Sequence, residues 1–559
     1  MNFSNTYLTN QIIAYIGNKR KLLPLIYKAM EHSGIEIKPG LKFLDVFSGS
    51  GVVSRLAKSL NFEVYTNDWE YYSYILNKCY IETNNKELSS LFGTEEDFRA
   101  LLDNINNLPV PEEKDCYISK YYAPRENNIE AVNYKTERLF YTRENALIID
   151  KIRNYIENKY NNNPNDKEEY QKRNILLAQL IYEAATHNNT SGVFKAFHKG
   201  FGGYNKDALK RILGKIELHR PILIDSDYPV HVYQEDANEL VKRIKNIDVA
   251  YLDPPYNQHQ YGSNYHMLNT ISKWDKIPAK LELNEKGELK EKAAIRHDWV
   301  KTRSDYCYKG TAVNSFASLI ENLDSKYILI SYSTDGIIPF NKLKDICIKK
   351  GKVSVVTNEY TTYRGGKQSN NRKNTNIEFI LCINTAESST KETEQELESI
   401  FIKKRFMLLF KEHFSQTRLK EAASKIDSNQ ISFSIEDIND FTVNTDYCFT
   451  ISPVGDINCL SLNKINKIIE LLESCICKTK ENELEEIFYE ITNNEIRNDR
   501  MWKLIPSTLK KLAYKKNKDV FYKWFNKVKE LEQDYPEKYK SISYKLQEVE
   551  EQAYKRFYN

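Results

Sequence analysis

The apolar positions of this chain change their spacing several times. In "KFLDVF" (42–47) and "FEVYTN" (62–67) they sit side by side or alternate over six residues, too few for a helix and typical of a strand in a parallel sheet. The stretches that follow each of them repeat apolar residues at the three-to-four spacing of an amphipathic helix. "VHVYQ" (230–234), a helical pattern and "IDVAYL" (247–252) repeat the scheme. Such alternation predicts βαβ units and a parallel sheet, an α/β fold. "KYILISY" (326–332), "KVSVVTNEYTTY" (352–363) and "NIEFILCI" (376–383) complete it, with a helix between the first two and an antiparallel hairpin between the last two.

Between about 80 and 225 the strand signal stops and helical patterns take over, notably "RNILLAQLIYEAATH" (173–187). The sheet is thus expected to be interrupted by a mostly helical insertion. Inside it, "NNTSGVFKAFHKGFGGYN" (188–205) reads as a loop or irregular hairpin. The expected boundaries are 1–80 and 226–383 for the two parts of the sheet domain and 81–225 for the insertion. A polar linker, "NTAESSTKETEQE" (384–396), leads to a helix-rich C-terminal domain at 397–559 with a small strand patch near 430–434 and 448–462. Its last part, 501–559, has 14 Lys or Arg against 8 Asp or Glu and is dense in aromatic residues, a mix that suits either a basic face with stacking rings or an aromatic core.

Composition narrows the class. At 559 residues, 41% hydrophobic and 28% charged, the chain is an ordinary globular one rather than a disordered or membrane-spanning one. The N-terminus lacks the basic start and apolar core of a signal peptide, so a cytoplasmic location is expected. The nine cysteines are scattered, and Cys475 and Cys477 have no second pair to complete a zinc site, so reduced packing residues are expected and no metal. A net charge of +4 says little, but "IGNKRKLL" (16–23) and "YRGGKQSNNRK" (363–373) carry bases without acids, as segments near phosphates do.

The chemistry concentrates at "DPPY", 253–256. Two consecutive prolines cannot continue a strand's hydrogen-bond ladder, so "IDVAYL" must end there, leaving Asp253 and Tyr256 at the carboxyl end of the strand. That edge is where open α/β sheets bind ligands. An exocyclic amine on an aromatic base is a poor nucleophile, because its lone pair is delocalised into the ring. A carboxylate and a carbonyl accepting its two N–H bonds favour the tetrahedral form that frees the pair, and Asp253 with the main-chain oxygen of Pro254 offers both. A tyrosine over the base adds stacking of about 1–3 kcal/mol, offsetting part of the cost of drawing a base from a duplex.

Upstream, Gly49 and Gly51 stand at a strand-to-helix turn, and Asp68 follows about twenty residues later, where an acid can accept from both ribose hydroxyls of a nucleotide cofactor. A dinucleotide requires a third glycine, but Ser54 occupies that position. A nucleoside cofactor without phosphates fits better, and S-adenosylmethionine is one.

In this order the residues resemble the Dam-type adenine-N6 DNA methyltransferases, the α-group of amino-methyltransferases, over about residues 11–383. "AYIGNKRKLLPLI" (14–26) is similar to the family's N-terminal cofactor segment, "FLDVFSGSG" (43–51) to its glycine motif, "NDWE" (67–70) to the ribose acid, "YQEDANEL" (233–240) to the third-strand motif and "DPPY" to the catalytic one. The resemblance implies a Rossmann-like methyltransferase sheet that moves a methyl group from S-adenosylmethionine to N6 of adenine in duplex DNA by base flipping. It implies that Tyr15, Gly17 and Lys19 enclose cofactor and target base, that Asp45, Phe47 and Gly49 line the cofactor's methionine and adenosine side, that Asp68 binds ribose and that Asp236 accepts from the cofactor's adenine. Asp253, Pro254 and Tyr256 are the catalytic set, with Asp253 also facing the cofactor. "TSGVFKAFHKGFGG" (190–203) resembles the DNA-reading hairpin, with Ser191, Lys195 and Lys199 as contacts, and "RGGKQSNNRK" (364–373) the basic loop near DNA, with Arg364 and Lys367.

The segment after DPPY, "NQHQYGSNYHML" (257–268), differs from the Dam protein; Tyr261, Asn264, Tyr265 and His266 wall the flipped-base pocket or pack beneath it, and His266 is expected to be structural. Expected partners are double-stranded DNA and, for the modification half of a restriction system, a cognate endonuclease. The rivals are a cytosine-N4 enzyme, whose motif opens with Ser rather than Asp, an RNA adenine-N6 enzyme, whose motif opens with Asn, and a nucleic-acid-binding protein on an inactive scaffold.

Overall fold

The computed structural model describes residues 3–203, 206–333, 336–357, 378–427, 429–435, 438–445, 449–455, 460–493 and 498–558. The described residues divide into two compact units, one up to residue 394 and the other from residue 395 on.

The first unit is a mixed α/β body around seven strands: β1 (Lys42–Asp45), β2 (Glu63–Asn67), β3 (Val230–Tyr233), β4 (Ile247–Leu252), β5 (Ser325–Ser333), β6 (Lys352–Thr357) and β7 (Glu378–Asn384). Their order is β3-β2-β1-β4-β5-β7-β6. β1 to β5 run parallel, and β7 lies antiparallel between β5 and β6. The apolar run of β4 is almost entirely buried, as both covered faces of a parallel sheet require. Because the chain leaves β1 for β2 on one side and reaches β4 on the other, the order reverses between β1 and β4, which opens a crevice at their carboxyl ends. Asp45 lies opposite Tyr251 in that register, so the glycine turn and DPPY leave the sheet side by side.

Helices Val52–Ser59 and Tyr71–Asn77 follow β1 and β2. Between β2 and β3 the chain is helical, and its longest helix, Lys167–Thr186, is buried along most of its length. Two buried arginines there, Arg153 and Arg173, share Glu157, and buried Asp150 accepts from the backbone amides of Ile118 and Ser119. Residues 187–203 and 206–207 form no helix or strand.

The expected linker is shorter than its composition suggests. A helix begins at Lys391, because Thr390 and Thr393 exchange backbone-to-hydroxyl hydrogen bonds across its first turn and so satisfy amides that a polar linker would leave to water. The second unit holds a four-stranded antiparallel sheet of β8 (Lys425–Asp427), β9 (Gln430–Ile435), β10 (Ile438–Thr445) and β11 (Ile451–Pro453) in the order β11-β10-β9-β8. The strand patch near 430 is larger than expected, near 450 the described residues hold β11, and a helix, Leu462–Ser474, follows. Helices Lys480–Asn493, Asn498–Leu512, Lys518–Asp534 and Pro536–Tyr558 pack around Trp502, Phe521, Trp524 and Phe557, so most of the aromatic residues in 501–559 fill a core. Among the described residues no helix is long and apolar enough to cross a membrane.

Candidate active site

A cavity of about 480 Å³ opens at the carboxyl edge of β1, β2, β3 and β4. That volume suits a drug-sized ligand. Its floor is set by the prolines: they end β4 and hold Asp253 and Tyr256 at the edge. The Lys19 ammonium lies 3.1 Å from Asp253 Oδ1 and 4.7 Å from the centre of the Tyr256 ring. It also donates to the Gly17 carbonyl of its own segment at 3.0 Å, while its pair with Asp253 ties that segment to the DPPY turn. Burial raises the Asp253 pKa, while Lys19 and the Tyr256 hydroxyl work against that rise and favour the carboxylate. The Tyr256 hydroxyl shares a 2.9 Å hydrogen bond with Ser331 of β5, and its ring meets Tyr332 edge-on at 4.8 Å, so its orientation is fixed from two sides.

Beside this pair stands a column of tyrosines. Tyr15 stacks on Tyr261 and on Tyr265 with ring centres 5.1 and 5.0 Å apart. The Tyr265 hydroxyl accepts from the Ile16 amide at 2.8 Å, and the Tyr261 hydroxyl donates to the Ile16 carbonyl at 3.2 Å. Tyr15 lies flat over the glycine turn: a Cβ at Gly49, whose φ is +54°, would stand 2.7 Å from the Tyr15 ring.

At the end of β2, Asp68 accepts from the Gly49 amide and from the Glu70 amide, both at 2.8 Å. Burial pushes its carboxyl up to about 6. Asp236 caps the helix Ala237–Arg243, its Oδ1 accepting from the amides of Asn238 and Glu239, and also faces the cavity. Phe47 faces it too, with Tyr306 against its edge. Asp45 and Gly49 do not line the cavity; Asp45 is 1% exposed beneath it, accepts from Ser54 and is pushed by burial up to about 7. The Ser54 hydroxyl also shares a 2.9 Å hydrogen bond with Thr66, so the residue in the third glycine's position ties β1 to β2. Seven carboxylates line the cavity against two cations, Lys19 and Arg303, a field that repels polyphosphates and suits a cationic ligand bearing hydroxyls.

Several lining residues carried no sequence signal of their own. Glu70 accepts from Asn269 at 2.6 Å and from Thr302 at 2.8 Å, and burial pushes it up to about 7. Through Thr302 it anchors the segment 302–306, which walls the cavity opposite the strands and whose Ser304 exchanges two hydrogen bonds with Gln260. Nothing in those five residues marks them as lining a pocket; only Glu70, inside "NDWE", stood next to a recognised position.

The loop 188–203 is built differently. Ser191, Lys195 and Lys199 are exposed and lie outside the cavity. They are held by buried neighbours: Asn189 donates to the Leu139 carbonyl at 2.9 Å and its side-chain oxygen accepts from Gly202, while Phe194 donates its amide to Asn264 at 2.7 Å. His266, fully buried, bonds the Phe194 carbonyl at 2.9 Å, and burial lowers its pKa to about 4, so it is neutral and structural. Arg364 and Lys367 lie outside the described residues.

A sheet edge carrying a glycine turn, an acid after β2 and an acid, two prolines and a tyrosine after β4 defines a methyltransferase acting on an amino group. The family model of the D12 class N6 adenine-specific DNA methyltransferases matches residues 15–346, more than half the chain, and the protein belongs to that family. It is similar to the type II methyltransferase M.NlaIII of Neisseria lactamica, 33% identical over 366 residues, which are 65% of this chain and 96% of that protein. It is also similar to the modification methylase StsI of Streptococcus sanguinis, 33% identical over 66% of this chain and 51% of that protein, and to the type II methyltransferase M.FokI of Planomicrobium okeanokoites, 31% identical over 66% and 52%.

Proposed function

We propose that the chain transfers the methyl group of S-adenosylmethionine to N6 of an adenine flipped out of duplex DNA, at a short specific sequence, as the modification half of a restriction system. The Lys19–Asp253 ion pair beside the Tyr256 ring, in the same cavity as Asp68 and Asp236, carries this reading. Asp68 accepts from the ribose hydroxyls, Asp236 from the cofactor's adenine amine, and Phe47 and the Tyr15 column enclose it; the cofactor supplies an electrophilic methyl on a sulfonium. Asp253 and the Pro254 carbonyl accept the two N–H bonds of the target amine, and Tyr256 stacks on the base. The absence of a pyrophosphate cradle and the acid-rich lining both suit a cation with a ribose and no phosphates.

The helical insertion, and in it Ser191, Lys195 and Lys199, reads the DNA, with a cognate endonuclease sharing the target sequence. Exposed Lys195 and Lys199 on a loop pinned from beneath support this reading, since such cations suit phosphate contacts. The test is tritium transfer from labelled S-adenosylmethionine to DNA and to RNA, followed by nucleoside analysis. Label in N6-methyladenine from duplex DNA is expected; label in N4-methylcytosine, or in RNA alone, refutes the reading.

A further inference from the structure

We propose that one end of the helical bundle in the second unit, formed by residues 513–518 and 554–558, docks onto the phosphate backbone of duplex DNA without reading sequence. The family match ends at residue 346, well before this unit begins. Lys515, Lys516, Lys518, Lys555 and Arg556 converge there, because Arg556 donates to the Ala513 carbonyl at 3.0 Å and Lys518 lies over the Tyr558 ring at 4.3 Å. Among the described residues none of the five has an ion-pair partner. Some other bases of the unit are paired with acids, as are Arg405 with Glu473, Lys523 with Glu481 and Lys529 with Glu550. The neighbouring exposed acids are two, Asp519 and Glu551.

Three tyrosines stay in solvent among these bases, Tyr514 at 53%, Tyr554 at 61% and Tyr558 at 54% exposure. Tyr514 lies 5.0 Å beneath the Arg556 guanidinium, and Tyr554 and Tyr558 pack together at 4.8 Å. Helix stability accounts for only part of the charge, since Lys555 and Arg556 stand in the last turn of their helix, where the dipole favours cations. Lys518 stands at the first position of its helix, where the helix dipole opposes a cation. Unpaired cations held beside hydroxyl-bearing rings are a surface for phosphates, since each displaces a counterion from DNA on contact.

The test uses the full chain with Lys515→Gln, Lys516→Gln and Lys555→Gln combined, all exposed and away from the packed rings. Affinity for a duplex lacking the target site is followed by anisotropy from 50 to 200 mM salt, with S-adenosylmethionine binding and methylation of saturating target DNA as controls. The affinity at 100 mM salt should fall about tenfold, and the slope of log affinity against log salt should become shallower by about 2–3, near 0.9 per lost phosphate contact. Charge reversal at the same positions should deepen both effects. Unchanged duplex affinity and slope in both variants, or a loss confined to single strands, overturns the proposal. Because methyl transfer is measured separately, either result leaves the catalytic reading standing or falling on its own data.

Discussion

The crevice at the sheet edge and the loop 188–203 place their functional side chains in opposite ways. In the crevice the reactive groups are themselves the buried, bonded ones: Lys19 is 4% exposed and Asp68 9%, each fixed by short contacts. In the loop the candidate contacts are free in solvent and the holding is done by Asn189, Phe194 and His266, which touch no ligand. Chemistry at a strand edge is therefore sensitive to any change in its own residues, whereas the proposed recognition by the loop would depend on the buried residues that hold it.

Four substitutions sharpen this contrast, from the largest effect to the smallest. Asp253→Asn keeps the shape of the side chain and removes the acceptor charge, so methyl transfer should fall by at least about a thousandfold, equivalent to about 4 kcal/mol of barrier. Affinity for S-adenosylmethionine, by calorimetry, should stay within a few fold. Asn189→Ala removes buried hydrogen bonds that close the loop, each left unsatisfied at about 1–3 kcal/mol. Specific DNA binding should drop by one to two orders of magnitude with cofactor affinity unchanged; a normal methylation pattern would show that the loop is not the reader.

Asp68→Asn should weaken cofactor binding about tenfold, and wild type should mimic the change on acidification. Ribose hydroxyls donate to the ionised carboxylate, so binding draws on the deprotonated form. With a pKa of about 6 in the free protein, affinity holds above neutrality and is lost as the pH falls through that value. The Asp68→Asn variant should lack this dependence; an equal slope in both proteins would assign the proton elsewhere, to Glu70 or Asp45. Lys195→Ala, an exposed base with no packing role, should cost only a few fold in DNA affinity and flatten the salt slope by about one.

What the sequence disclosed follows the same division. Proline pairs and glycine turns act locally, so DPPY and the glycine turn located the crevice, and Asp68 and Asp236 do face the same cavity as Asp253. Asp45 shows the limit: it belongs to the motif yet supports the floor through Ser54 rather than lining it. The 302–306 wall was illegible because it depends on Glu70, more than two hundred residues away, and on the packing of Gly262 against Glu70 and Thr302. The helix start at Lys391 was missed because two threonines cap it in a stretch whose composition reads as linker.

The central claim is that Asp253 acts on the flipped adenine and on nothing earlier. Single-turnover mixing of Asp253→Asn with S-adenosylmethionine and DNA, run in parallel on target adenine and on 2-aminopurine at that position, tests it most directly. The account predicts that 2-aminopurine brightens as with wild type while no tritium reaches the target adenine. Transfer within tenfold of the wild-type rate, or a loss of cofactor binding, would contradict it and leave DPPY as a turn that ends a strand.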